Sequence, residues 1–141
     1  MSDWNAQAIA EFREANGKTG RWGSNLVIMH TIGAKSGQVR IAPVMGLPVD
    51  EARSAWTIIA SKGGAPENPA WYHNLVAHPE FDVEAFIGDG IQTAPVTARE
   101  LHDAEYDAAW ERMIAVAPGF ESYKEKTARL MPMFLLTRTA G

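Results

Sequence analysis

Apolar positions recur at helical spacing at the start of the chain and at strand spacing through its middle. Trp4, Ala8, Phe12 and Ala15, with Ile9 at the margin, form one side of a helix running from Asp3 to Asn16, which Asn16-Gly17 would stop. That face can lie on the domain, on a partner or on a membrane surface. Asp3, Glu11 and Glu14 disfavour anionic lipid, so docking on the chain's own domain is the expectation. Strands are then predicted over Asn25 to Thr31, Val39 to Val49 and Ala55 to Ser61. Gly33 to Gly37 forms a turn, and Pro43 marks an edge or a bulge. The loop Lys62 to Glu67 leads into a short helix from Pro69 to about Ala77. Phe81 to Ile87 and Ile91 to Glu100 pair as a hairpin about Gly88-Asp89-Gly90. A helix follows over Asp103 to Val116, with Asp103 as its cap and Tyr106, Trp110 and Met113 or Ile114 as its apolar stripe. A shorter helix from Phe120 to Ala128 and a last strand from Pro132 to Thr137 complete the pattern.

Connections between strands are mostly too short for parallel crossovers, which makes the sheet mainly antiparallel. Several short strands with flanking helices give an α+β class with a closed or half-closed barrel. No repeat or linker divides the sequence. One domain over residues 1–141 is expected, with residues 1–24 as an N-terminal helix and connection.

Composition narrows the chemistry. With 46% hydrophobic and 21% charged residues the chain is of ordinary globular type rather than disordered. The sequence has no cysteine, so there is no disulfide framework, thiol nucleophile or cysteine-ligated metal. No basic leader precedes an apolar run, and no apolar stretch approaches the roughly 20 residues that span a bilayer. A cytoplasmic location without an integral membrane segment is the expectation. The net charge of −4 conceals an asymmetry. Between Lys18 and Lys62 stand six basic residues and two acidic ones, a balance of +4 against −8 for the rest. One basic region in an acidic chain suits a small anion better than nucleic acid, which calls for a broad basic face.

Two glycine-bearing segments carry that region. In Ser61 to Leu75, Lys62 brings a positive charge, and Gly63 and Gly64 allow close backbone approach. Asn68 can cap the following helix and Pro69 suits its first position, where the helix dipole adds partial positive charge. This arrangement would hold a phosphate or carboxylate; a well-capped strand–turn–helix connection without a ligand has the same pattern. In Gly33 to Arg40, Lys35 and Arg40 flank a tight turn that would present them to an anion or to solvent. The spacing of a nucleotide-triphosphate loop is absent. His30, His73, His78 and His102 show no metal-site spacing and read as structural or surface residues. Neither a nucleophile elbow of the G-x-S-x-G type nor a dinucleotide G-x-G-x-x-G after a strand occurs.

Four blocks in order resemble the deazaflavin (coenzyme F420)-dependent nitroreductase family. They are Ile9 to Arg13 with Asn16-Gly17-Lys18; Gly33-x-Lys35-Ser36-Gly37 with Arg40 and Pro43; Ala60-Ser61-Lys62-Gly63-Gly64 through Asn68-Pro69-x-Trp71-Tyr72-x-Asn74-Leu75; and Phe120-x-x-Tyr123 with Thr127-x-Arg129-x-x-Pro132. The third block is the specific one. The resemblance implies a split β-barrel and a reductase that passes a hydride from F420H2 to a small quinone, enone or nitroaromatic acceptor. It implies that Lys35, Arg40 and Lys62 meet the cofactor's phosphate and carboxylates, and that Ser36 and Pro43 also belong to the cofactor site. Ala60, Ser61, Lys62, Gly63, Gly64 and Ala65 would lie against its ring or phosphate, and Asn68, Pro69, Trp71, Asn74 and Leu75 would line or support the pocket. Tyr123 or Ser61 would supply or orient the proton for the acceptor. Ala34 stands where the family usually has arginine, and Phe120 where some relatives have tyrosine. A non-catalytic F420 carrier or store, or a barrel using FMN or haem, are the alternative readings. Monomer and homodimer both remain open.

Overall fold

The computed structural model describes residues 3–20, 23–61, 68–126 and 130–139, apart from the side chains of residues 3, 4, 123, 125 and 126. The elements run α1 (Asp3–Glu14), β1 (Leu26–Ile32), β2 (Val39–Met45), β3 (Leu47–Pro48), β4 (Ala55–Ile59), α2 (Ala70–Ala77), β5 (Glu80–Ile87), β6 (Gly90–Glu100), α3 (Asp103–Val116), α4 (Gly119–Lys126) and β7 (Met133–Arg138). The strands form one seven-stranded sheet ordered β2-β1-β5-β6-β7-β4-β3. Each recorded pairing is antiparallel. The fold is the expected α+β split barrel. No helix among the described residues is long and apolar enough to cross a membrane.

The two edges of this sheet, β2 and β3, are consecutive in the chain and separated by Gly46 alone. The sheet therefore curls until its edges meet. The segment expected as one strand from Val39 to Val49 is instead two strands, serving opposite edges. Gly46 is buried at the crossing, and its N–H donates to the Asn25 carbonyl at 2.7 Å. A Cβ there would stand 2.7 Å from Val27 Cγ2 and 3.2 Å from Trp56 Cβ. Pro43 lies in β2, opposite Ile28, so it does occupy an edge strand.

Curling gives the sheet an inside and an outside, and helices cover much of the outside. Val27, Met29, Trp56, Ile58, Val83, Phe134 and Leu136 fill the barrel interior with Leu75 of α2. Ala8, Ile9 and Phe12 of α1 cover Leu26 and Ile28 on the outer face of β1. On another outer face, Ala109 and Met113 of α3 pack with Ile59, Leu101, Met131 and Met133. Strands buried on both faces read as unbroken apolar runs, which explains the lack of alternation in LVIM and AWTII. The N-terminal helix thus docks on its own domain, although Ala15 is exposed rather than part of the buried stripe.

Two expected caps are not formed. His102 occupies the α3 N-cap, and Asp103 lies one position inside at φ 53°; no side-chain cap hydrogen bond forms. Pro69, not Asn68, is the α2 N-cap, again without a side-chain cap bond, because the helix begins one residue later than expected. By contrast, the Asn16-Gly17 stop is real, with φ at 51° and 87°. Asn16 also accepts the Ile91 N–H at 3.3 Å, joining the end of α1 to the β5–β6 hairpin.

A charged clamp fastens the last turn of α1. Arg13 donates to both carboxylate oxygens of Glu84 on β5, at 3.1 and 2.8 Å, and His30 Nε2 lies 2.7 Å from the same carboxylate. The Arg13 hydrogen bond holds the Glu84 carboxyl below its ordinary range against the opposing effect of burial, with His30 assisting. A depressed folded-state value means that the contribution is full above the unfolded value of about 4.3 and is lost as pH falls through the folded one. Glu84→Gln is expected to cost roughly 1 kcal/mol at pH 7, with the gap from the parent closing below about pH 4 in denaturant titrations. Gly46→Ala is expected to cost about 1–3 kcal/mol in the same measurement, since Val27 and Trp56 must move to admit one methyl group.

Candidate functional site

Strands β1 and β2 are joined by a turn that fixes its own shape. The Gly33 N–H donates to the Gln38 carbonyl at 2.7 Å, the Gly37 N–H to the Gly33 carbonyl at 2.9 Å, and the Gln38 N–H to Ser36 Oγ at 3.1 Å. Gly37, at φ 70°, supplies the left-handed step. Lys35 and Ser36 stand exposed at the tip and Arg40 just beyond.

A buried amide ties this turn to α2. Asn74 Oδ1 accepts the Ala34 N–H at 3.0 Å, and Nδ2 donates to Thr31 Oγ1 at 3.1 Å. Thr31, which is fully buried, donates in turn to the Arg40 carbonyl at 2.6 Å. One side chain thus joins helix, strand and turn, and each polar atom in the chain of bonds has a partner, as burial demands. Helix α2 is also seated by aromatic contacts: the Trp71 and Tyr72 rings meet Phe134 edge-on at 6.3 and 5.7 Å. The Tyr72 hydroxyl donates to Glu100 at 3.3 Å; burial first, then the carboxylate's charge, pushes its pKa up.

Between the turn, β2 and α2 opens a cleft of about 1200 Å³. It gathers Lys35, Ser36, Arg40, Pro43, Ser61, Pro69, Trp71 and Asn74 of the residues expected from the sequence. Ala60 and Leu75 lie behind it in the core, 0% and 1% exposed, and Asn68 is not on its wall. Lys62, Gly63, Gly64 and Ala65 fall outside the described residues, as does the Tyr123 side chain. The opposite wall is apolar: Ile41, Ala42, Val44 and Met45 of β2, Ile59 at the end of β4, and Phe120 of α4. Sequence reasoning missed Asn5, Met45, Ile59 and the cleft position of His73. Each comes from an element whose placement depends on how the barrel curls. Only His73 had a local signal, being the residue between Tyr72 and Asn74 in the specific block.

The lining separates into a basic, hydrogen-bonding end and an apolar wall. Such a site can hold an elongated anion with a flat ring. Among the described lining residues no carboxylate occurs; Lys35, Arg40 and His73 are the ionisable side chains. Asn74→Leu would strip the Ala34 N–H and the Thr31 hydroxyl of their shared partner. It is expected to cost about 2 kcal/mol in denaturant unfolding and to speed hydrogen exchange at Ala34.

Some known proteins with this architecture are similar in sequence as well. The family model described as F420H(2)-dependent quinone reductase matches residues 4–138. An F420H(2)-dependent quinone reductase of Mycobacterium tuberculosis is 35% identical over 136 residues, covering 92% of this chain and 86% of the relative. The solved structure of F420-H2 dependent reductase FDR-A is 36% identical with a TM-score of 0.67, over 79% of this chain and 93% of that one. A structure described as a domain-swapped dimer is 33% identical with a TM-score of 0.69, over 95% and 97% of the two chains. Cleft, curled barrel and matched sequence agree: the chain belongs to the F420H2-dependent quinone reductase family.

Proposed function

We propose that residues 1–141 form one deazaflavin-binding domain that seats coenzyme F420 in the cleft and reduces a small quinone. The observation that carries this reading is the cleft itself, basic and free of carboxylates at its described end and apolar along β2. The cofactor bears a phosphate and an acidic tail on a flat ring, so the residues present fit it. When bound and reduced, it supplies the hydride.

The chain's own residues do the rest. Lys35 and Arg40 meet the phosphate and carboxylates through charge-assisted bonds, with Ser36 adding a hydroxyl. Lys62 and the backbone from Ser61 to Ala65, with Ala60 behind, complete the grip in this reading. Asn68, Pro69 and Leu75 set the start and the buried face of α2, while Trp71 and Asn74 hold that helix and the turn in register. Pro43, Met45, Ile59 and Phe120 offer an apolar surface for stacking and exclude water from the reacting face. Ser61 or Tyr123 delivers or orients the proton that the reduced acceptor needs. The relatives' names favour a quinone over an enone or nitroaromatic as acceptor.

Titration with F420, followed by intrinsic tryptophan fluorescence, is expected to show micromolar binding. F420H2 is expected to be oxidised on addition of quinones, read from its absorbance. Arg40→Glu should weaken F420 binding about tenfold or more. The same reversal at Lys124 of α4, which sits over the Trp110 ring of α3, should change it less than about twofold. Equal losses in the two variants, or no binding at tens of micromolar, would overturn the assignment.

A further inference from the structure

We propose that His73 is a further cationic contact for the anionic cofactor, beside Lys35, Arg40 and Lys62, so that F420 binding is coupled to uptake of a proton. This rests on the cofactor reading above. His73 is exposed on α2 and lines the cleft. Ala70, His73 and Asn74 follow i, i+3, i+4 spacing and share one side of the helix. The Asn74 amide binds that side to Ala34, next to Lys35 at the turn. The position of His73 is therefore fixed by its neighbour's buried hydrogen bonds rather than left to a loop. Its ring stands edge-on to Tyr72, 5.3 Å between centroids and 83° between planes. Tyr72 is itself held by Phe134 and by Glu100.

The ionisable side chains that line the cleft with the imidazole are basic. Lys35 on the turn and Arg40 on β2 line the same cleft, and no described lining residue is acidic. On its own helix the ionisable neighbour is Tyr72, whose hydroxyl is engaged with Glu100 of β6. Lys62 and Glu67 lie outside the described residues. Histidine is the residue type that changes charge between about pH 5 and 8. A polyanion in this cleft favours the imidazolium over the imidazole, and by linkage the imidazolium favours the polyanion. No carboxylate on the described wall competes for that charge.

The test titrates the full chain with F420 at pH 6 and pH 8, comparing the parent with His73→Gln and His73→Lys. The same ligand is used throughout, so its own titrations cancel between variants. From pH 6 to pH 8 the parent is expected to lose about fivefold more affinity than His73→Gln. His73→Lys, charged at both values, should keep at pH 8 most of the advantage that the parent shows over His73→Gln at pH 6. Calorimetry in two buffers of different ionisation enthalpy should show proton uptake by the parent above that of His73→Gln. Parallel pH profiles and equal proton uptake in parent and His73→Gln would overturn the role of His73 while leaving the cofactor reading intact. Failure of all three proteins to bind F420 would overturn both.

Discussion

The structure turns on a crossing at one residue. Strand β2 begins at one edge of the sheet, and two residues after its end the chain has become β3 at the other edge. Only a residue without a side chain passes between Val27 and Trp56 at that point. Once the crossing is made, the sheet cannot lie flat, and its curvature decides what faces what. It places Val44 and Met45 beside Ile59, brings α2 beside the β1–β2 turn, and leaves between them the cleft that the site occupies. A side chain at Gly46 would act on the barrel first and on the cleft through it.

Within that frame the site has two kinds of residue. Lys35, Arg40 and His73 line the cleft and, in the proposed reading, face a ligand. Asn74 and Thr31 direct their side-chain polar atoms into internal hydrogen bonds and so determine where the first group stands. The division reflects the energetics of burial. A polar side chain enclosed in the fold must be satisfied by the fold, which makes it a good fastener and a poor ligand. The aromatic contacts of Trp71 and Tyr72 on Phe134 anchor the same helix in the core, a second fastening beside the buried amide.

Much of this was readable from local pattern. Helix α3 and the β5–β6 hairpin follow from periodicity and turn residues, because their determining contacts lie within a few positions. The basic turn was visible for the same reason, whereas the motif around Trp71 and Asn74 was visible through its resemblance to a family, since Asn74 bonds to the distant Ala34 and Thr31. The crossing at Gly46 was not: it is set by Val27 and Trp56, which are distant in sequence, and a glycine in a strand does not say which neighbours crowd it. The caps assigned to Asp103 and Asn68 failed because cap propensity fixes a helix start only to within a residue, and the surrounding chain chose the other position. Asn5 and Ile59 reach the cleft from separate elements, and no local signal could have brought them together.

The cleft's charge has a consequence for how a ligand arrives. The protein as a whole carries −4, while the ionisable side chains on the described cleft wall are two basic residues and an imidazole. A distant polyanion meets a repulsive field, and a nearby one an attractive field. The two have different ranges, and mobile ions damp the longer one first, with a screening distance of about 10 Å at 0.1 M salt. Modest ionic strength therefore removes the outer barrier before it erodes the inner well. Capture should be fastest at intermediate salt, unlike the steady decline expected of a uniformly basic protein.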